Sequence, residues 1–127
     1  MNSNLEVGNI GEDLACKYLI SHKFKILFRN FKEKFDEIDI ISKSSDRTLV
    51  FVEVKTLRGF QDGSLGLIPE DQLTFQKFHK ISRACALFAA KHSNLINPKK
   101  GWRIDLIAIN LGEDRTNFQI RHYENVL

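Results

Sequence analysis

The sequence predicts an α/β fold in which a mixed central β-sheet is flanked by helices. Three observations carry that expectation. Apolar residues recur at helical spacing in two segments and alternate at strand spacing in five others. Their order is helix, three strands, helix, two strands, which suits helices packed on one sheet and not a regularly alternating parallel fold. Two consecutive strands are joined by a short polar turn, so part of the sheet must be antiparallel. With 127 residues the chain fits a single domain, residues 1–127, around one core.

The first element follows from Val7, Ile10, Leu14, Tyr18 and Leu19, whose spacing predicts an amphipathic helix over about residues 6–21. Gly8 and Gly11 near its start leave room for another element to approach closely. Phe24, Ile26 and Phe28 alternate with Lys25, Leu27 and Arg29 in a first strand. The second and third strands, around 37–41 and 49–55, flank Ser44-Ser45-Asp46 as a hairpin. Residues 57–73 form a long connection with three glycines and one proline, the kind of loop that often serves function. Phe75, Phe78, Ile81, Cys85 and Phe88 mark the stripe of a second helix, with His79, Lys80 and Arg83 mostly off it. Pro98 and Gly101 close a loop over 94–101. Trp102, Ile104, Leu106 and Ala108 then predict a fourth strand, and Phe118, Ile120 and His122 a fifth.

The hairpin carries an unusual set of charges. Side chains alternate along a strand, so Glu53 and Lys55 share a face with Leu49 and Phe51, while Val50, Val52 and Val54 form the other. Glu37 and Asp39 share a face with Ile41, and Ile38 with Ile40. A turn centred on residues 45–47 sets Asp39 opposite Glu53 and Glu37 opposite Lys55. Opposed side chains stand roughly 4.5–5.5 Å apart, so Asp39 and Glu53 repel unless a cation lies between them. Carboxylates are the hard oxygen donors that Mg²⁺ prefers. Lys55 is suited to orienting or deprotonating a water, or to neutralising charge at phosphorus. An isolated Glu-x-Lys is also a common surface ion pair; it is Asp39 on the adjoining strand, amid apolar residues, that points to chemistry. Glu12 lies one helical turn from Gly8 and Ala15 and is able to complete the site, although taken alone a glutamate near a helix start is better explained by the helix dipole. Asp36 falls on the far side from Asp39 and is expected to face solvent. Asp105 could supply a further ligand but is better read as the ion-pair partner of Arg103 or of another nearby base on the strand.

Charge and composition narrow the class. The net charge is only +3, but residues 74–103 hold seven Lys or Arg and no acid, whereas residues 1–73 hold twelve of the sixteen acids. An acidic centre beside a basic flank suits a protein that grips a polyanion, with Lys77, Lys80 and Arg83 placed for phosphate contacts. A solvated helix face would show the same bias. No apolar stretch approaches the roughly 20 residues of a membrane helix, so no membrane association is expected, and the N-terminus does not read as a secretory signal. Cys16 and Cys85 are isolated and read as buried thiols in a reducing cytoplasm. The four histidines show no metal-ligand spacing.

In order along the chain, Gly8-x-x-Gly11-Glu12-x-x-Ala15, Glu37-Ile38-Asp39, Phe51-Val52-Glu53-Val54-Lys55, Thr74-x-x-Lys77-x-x-Lys80 and Arg103-Ile104-Asp105-Leu106-Ile107 resemble the YraN-like family of uncharacterised bacterial proteins, within the PD-(D/E)xK nuclease superfamily. The resemblance covers most of the chain and implies a restriction-endonuclease-like fold similar to archaeal Holliday-junction resolvases. By the same analogy Asp39, Glu53 and Glu12 hold Mg²⁺ or Mn²⁺, and Lys55 serves the attacking water. The implied partner is DNA, branched or otherwise processed, and the implied assembly a homodimer. Asp36 stands where the family usually has glycine, and Ile38 where the superfamily usually has proline. The expectation is thus a cytoplasmic, metal-dependent DNA endonuclease-like protein. The alternatives are a catalytically inactive nucleic-acid-binding or adaptor protein on the same fold, and a protein-interaction domain with no nucleic-acid role.

Overall fold

The structure, a computed structural model, describes residues 4–34, 36–58, 75–112 and 117–126. Helix α1 spans Asn4–Ser21, followed by strands β1 (Lys25–Lys32), β2 (Glu37–Lys43) and β3 (Leu49–Arg58). Helix α2 (Phe75–Lys91) leads through a 3₁₀ turn at Ser93–Leu95 to β4 (Trp102–Leu111) and β5 (Phe118–Tyr123). The predicted element order therefore holds, and the mixed sheet flanked by helices is a restriction-endonuclease-like arrangement. β3 runs to Arg58, into the segment expected to be loop, and the rest of that connection lies outside the described residues. Among the described residues no helix is long and apolar enough to cross a membrane.

The five strands lie in chain order, β1-β2-β3-β4-β5, and only β3 and β4 run parallel. A parallel neighbour requires a crossover connection, and α2 lies within the one between β3 and β4. α1 ends through His22 and Lys23: Phe24 N–H donates to Leu19 C=O at 2.9 Å, and Lys23 takes the left-handed φ of 68° common just past a helix end. The β2–β3 turn is tied by Ser44 N–H to Thr48 C=O at 3.0 Å and by Arg47 N–H to Ser44 C=O at 2.9 Å. Asp46 secures it further by accepting from the Thr48 N–H at 3.1 Å and from the hydroxyls of Thr48 and Ser44.

The sheet's two faces form two cores. Under α1, Ala15, Cys16 and Leu19 pack on Ile40, Val50, Val52, Ile107 and Ile109. Under α2, Ile81, Ala84, Cys85 and Phe88 pack on Leu49, Phe51, Ile41 and Ile104. The alternation of β3 separates Val50 and Val52 from Leu49 and Phe51, as expected. Ile38 is a correction: it joins the α2 core and not Ile40 on the α1 side. The hairpin ladder with β3 ends at Ile40, and beyond it β2 pairs with β1 alone, where Ile38 stands opposite Phe31, a residue packed on the α2 core. Gly11 behaves as expected, because a Cβ there would lie 1.9 Å from Thr56 Oγ1. Gly8 does not: a Cβ there would meet nothing within 4 Å, and Gly8 faces the cleft described next.

Candidate active-site cleft

The β2–β3 ladder pairs Lys43 with Leu49, Ser42 with Val50, Ile41 with Phe51 and Ile40 with Val52. This is the frame read from the hairpin, and it stops one residue before Asp39 and Glu53. There the backbone pairing is replaced by a side chain: Asp39 Oδ2 accepts the Val54 N–H at 2.8 Å. Asp39 and Glu53 therefore stand together where the two strands part, and Glu37 is paired with Lys32 of β1.

Around that opening is a cleft of about 720 Å³ lined by Gly8, Glu12, Asp39, Glu53, Val54, Lys55, Thr56, Leu57 and Lys77. Three elements build it. β2 and β3 supply Asp39, Glu53 and Lys55; the N-terminal half of α1 brings Glu12; the first turn of α2 brings Lys77. The close packing of Gly11 on Thr56 sets α1 near enough for Glu12 to reach the end of β3. Lys80 and Arg83 do not line the cleft and lie exposed farther along α2. Asp36 is half-buried, not fully solvent-facing, and its carboxylate accepts the Glu37 N–H at 2.8 Å.

The cleft's electrostatics are those of crowded charge. Glu53 is buried, with only 7% of its surface exposed. Burial, then the hydrogen bond and charge of Glu53, push the Asp39 carboxyl up to about 8, against the pull of Val54 N–H and Lys55. Burial and the charge of Asp39 also raise Glu12, partly offset by Arg29 and Asn30. The two lysines move in opposite directions. Burial and contact with Lys77 lower Lys55 despite Glu53 and Asp39. Burial works against the charge on Lys77, but Lys55 and the nearby carboxylates outweigh it and raise that group. Lys55 is thus the amine that gives up its proton more readily.

Two adjacent carboxylates that cannot both ionise comfortably suit a hard cation. Among the described residues no three His, Cys, Asp or Glu side chains form a ready-made metal cage. Mg²⁺ does not need one, because it is commonly held by one or two carboxylates and keeps several waters. Glu12 adds a further acceptor: its Oε1 is buried, has no hydrogen-bond partner, and lies 3.6 Å from Arg29 Nη2.

Asp105 belongs elsewhere. It is fully buried on β4 and accepts from Arg103 Nε at 2.9 Å, Arg103 Nη2 at 3.2 Å and the Asn125 N–H at 2.9 Å. His122 Nε2 stands 2.8 Å from Asp105 Oδ2, and Tyr18 Oη stands 3.1 Å from His122 Nδ1. A carboxylate only accepts, so Nε2 carries a proton, and in the neutral ring Nδ1 then accepts from the Tyr18 hydroxyl. The expected Arg103 pair is present; the ties to His122 and Tyr18 were not read from the sequence. Tyr18 on a buried helix face is the one signal that could have suggested a polar partner, since a buried phenol usually finds one.

Comparison with known proteins adds lineage. Residues 11–109 match the profile of uncharacterised protein family UPF0102. A UPF0102 protein from Clostridium botulinum (strain Loch Maree / Type A3) is 35% identical over 122 residues, 96% of this chain and 94% of the relative. Another from Caldicellulosiruptor bescii is 39% identical over 104 residues, 82% of each chain.

Proposed function

This chain belongs to the UPF0102 (YraN-like) family of the PD-(D/E)xK nuclease superfamily, and from that premise we propose that it is a divalent-cation-dependent nuclease acting on DNA, branched or processed DNA included. The observation that carries the reading is the meeting of Asp39, Glu53, Lys55 and Glu12 in one cleft with Lys77.

Asp39 and Glu53 hold Mg²⁺ or Mn²⁺ where β2 and β3 part, with Glu12 as the accessory acid from α1. When bound, the cation polarises the phosphodiester and lowers the pKa of a coordinated water. Lys55, whose pKa burial and Lys77 lower, takes a proton from or orients the attacking water. Lys77, held charged beside it, neutralises the negative charge that builds on the phosphoryl oxygens. Lys80 and Arg83 extend a basic track along α2 for flanking phosphates, which carry affinity and not sequence choice.

The test is cleavage of linear, single-stranded and four-way DNAs with Mg²⁺ or Mn²⁺, using wild type, Asp39→Ala, Glu53→Gln and Lys55→Ala. Cleavage by wild type that each variant abolishes is expected. Equal cutting by wild type and variants removes the site assignment. Salt-sensitive binding that survives Asp39→Ala and Glu53→Gln, with no cutting of any substrate, supports the DNA-binding adaptor instead.

A further inference from the structure

Asp13 and Glu12 are neighbours on α1, and one guanidinium, that of Arg29 on β1, stands between them. Arg29 Nη2 is 2.9 Å from Asp13 Oδ1 and 3.6 Å from Glu12 Oε1. The first distance is a charge-assisted hydrogen bond and the second is too long for one. Yet Glu12 has the greater need. Its Oε1 is sealed from solvent without a donor, while Asp13 has a side chain 60% exposed and water at hand. Leaving a buried acceptor unpaired costs on the order of 1–3 kcal/mol, and more for a charged one. A shift of Arg29 by less than about an ångström would satisfy it at ordinary hydrogen-bond length. That shift would draw a half-exposed guanidinium inward, where desolvation opposes it, and would break the good contact with Asp13.

We propose that Asp13 is a decoy: it holds Arg29 off Glu12, so that the inner oxygen of Glu12 is left without a donor and the carboxylate, which lines the cleft, is free to turn to a divalent cation there. Asp13 and Arg29 are then positioning residues, acting through Glu12. The inference rests on the cation reading of the cleft. It also gives Arg29 a defined distance from the site, close enough to offset some repulsion between Glu12 and Asp39 without occupying the ligand position.

Two measurements test it: Mn²⁺ titration by calorimetry, and crystal structures of the variants. In Asp13→Ala, Arg29 is expected to close to within about 3.2 Å of Glu12. Mn²⁺ affinity then falls by about tenfold, the lower end of the range for outer-shell partners of a metal ligand. Arg29→Ala alone does not weaken Mn²⁺, and Asp13→Ala/Arg29→Ala returns to the affinity of Arg29→Ala. If Asp13→Ala leaves Mn²⁺ affinity within about twofold, or if its loss persists in the double variant, the decoy role is wrong. Asp39→Asn separates the two ideas. Mn²⁺ binding that Asp39→Asn abolishes but Asp13→Ala leaves untouched overturns the decoy alone. A wild type that takes up no Mn²⁺ overturns the cation reading and the decoy with it.

Discussion

Asp39 Oδ2 accepts the Val54 N–H at 2.8 Å, so a carboxylate substitutes for a backbone carbonyl at the point where β2 leaves β3. The contact does two things. It satisfies a donor stranded by the end of the ladder, and it anchors Asp39 beside Glu53 in a place where two negative charges repel.

That strain makes stability depend on pH. Asp39 titrates near 8 in the fold and near 4 in the unfolded chain, so between those values the native state holds the extra proton. Stability of the metal-free protein is therefore expected to fall as pH rises from about 4 to about 8. Asp39→Asn keeps an acceptor for Val54 N–H and removes the charge. Its urea midpoint at pH 8 should exceed that of wild type, with each unit of raised pKa worth about 1.4 kcal/mol at most. The gap should close near pH 4, and urea melts at both pH values check it.

Asp105 has the opposite sign. Burial opposes its ionisation, but His122, Arg103 and the Asn125 N–H outweigh that and hold the carboxyl below its usual value. Its contribution is fully present above the unfolded pKa of about 4 and is lost as pH falls through the lower folded value. Asp105→Ala should cost about 3–5 kcal/mol at pH 7, because Arg103 and His122 lose their partner. Tyr18→Phe removes one hydrogen bond and should cost about 0.5–1.5 kcal/mol. Denaturant melts from pH 7 down to 3 would show the Asp105→Ala deficit narrowing only at the acid end.

Gly8 and Gly11 are three residues apart on one helix and should respond oppositely to alanine. At Gly11 the added Cβ meets Thr56 Oγ1 at 1.9 Å and Thr56 Cβ at 2.9 Å, so α1 or β3 must shift. A loss of about 1–3 kcal/mol is expected. At Gly8 there is open space, and alanine gains up to about 1 kcal/mol of helix propensity. Thermal unfolding of the two variants separates packing from propensity.

Lys80 and Arg83 sit outside the cleft on the exposed side of α2. On the nuclease reading, replacing either with alanine should weaken DNA binding without sequence preference and reduce the slope of log K against log salt by about 1. Cleavage at saturating DNA and low salt should be unchanged. Fluorescence anisotropy over a salt series measures the slope, and unaltered slopes would place the DNA on another face.

Much of the fold and part of the cleft were legible in residue order. Alternation along 49–55 separated Val50 and Val52 from Leu49 and Phe51, and the short turn after Lys43 set a register that the structure keeps. A hairpin closes over a few residues, so the pairing frame is a local property that turn length and side-chain alternation determine together. That is why Asp39 and Glu53 could be brought together from sequence alone. The same reasoning failed at Ile38, two residues past the last β2–β3 pair, where β2 is held by β1 alone and Ile38 stands opposite Phe31, which itself packs on the α2 core.

What only the tertiary structure decided lies between distant segments. Arg29 standing between Asp13 and Glu12, Lys77 meeting Lys55, and His122 linking Tyr18 to Asp105 all depend on how a helix sits on the sheet. Helical periodicity states which face of α1 or α2 is buried; it does not state the height or angle at which that face docks. Those are set by contacts such as Gly11 on Thr56, where the absence of one side chain lets α1 settle close enough to put Glu12 in the cleft. The sequence alone determined that acids and a lysine share a strand pair. The packing of α1 and α2 on that pair turned it into a cleft with two amines and a third carboxylate, one of whose oxygens has no hydrogen-bond donor.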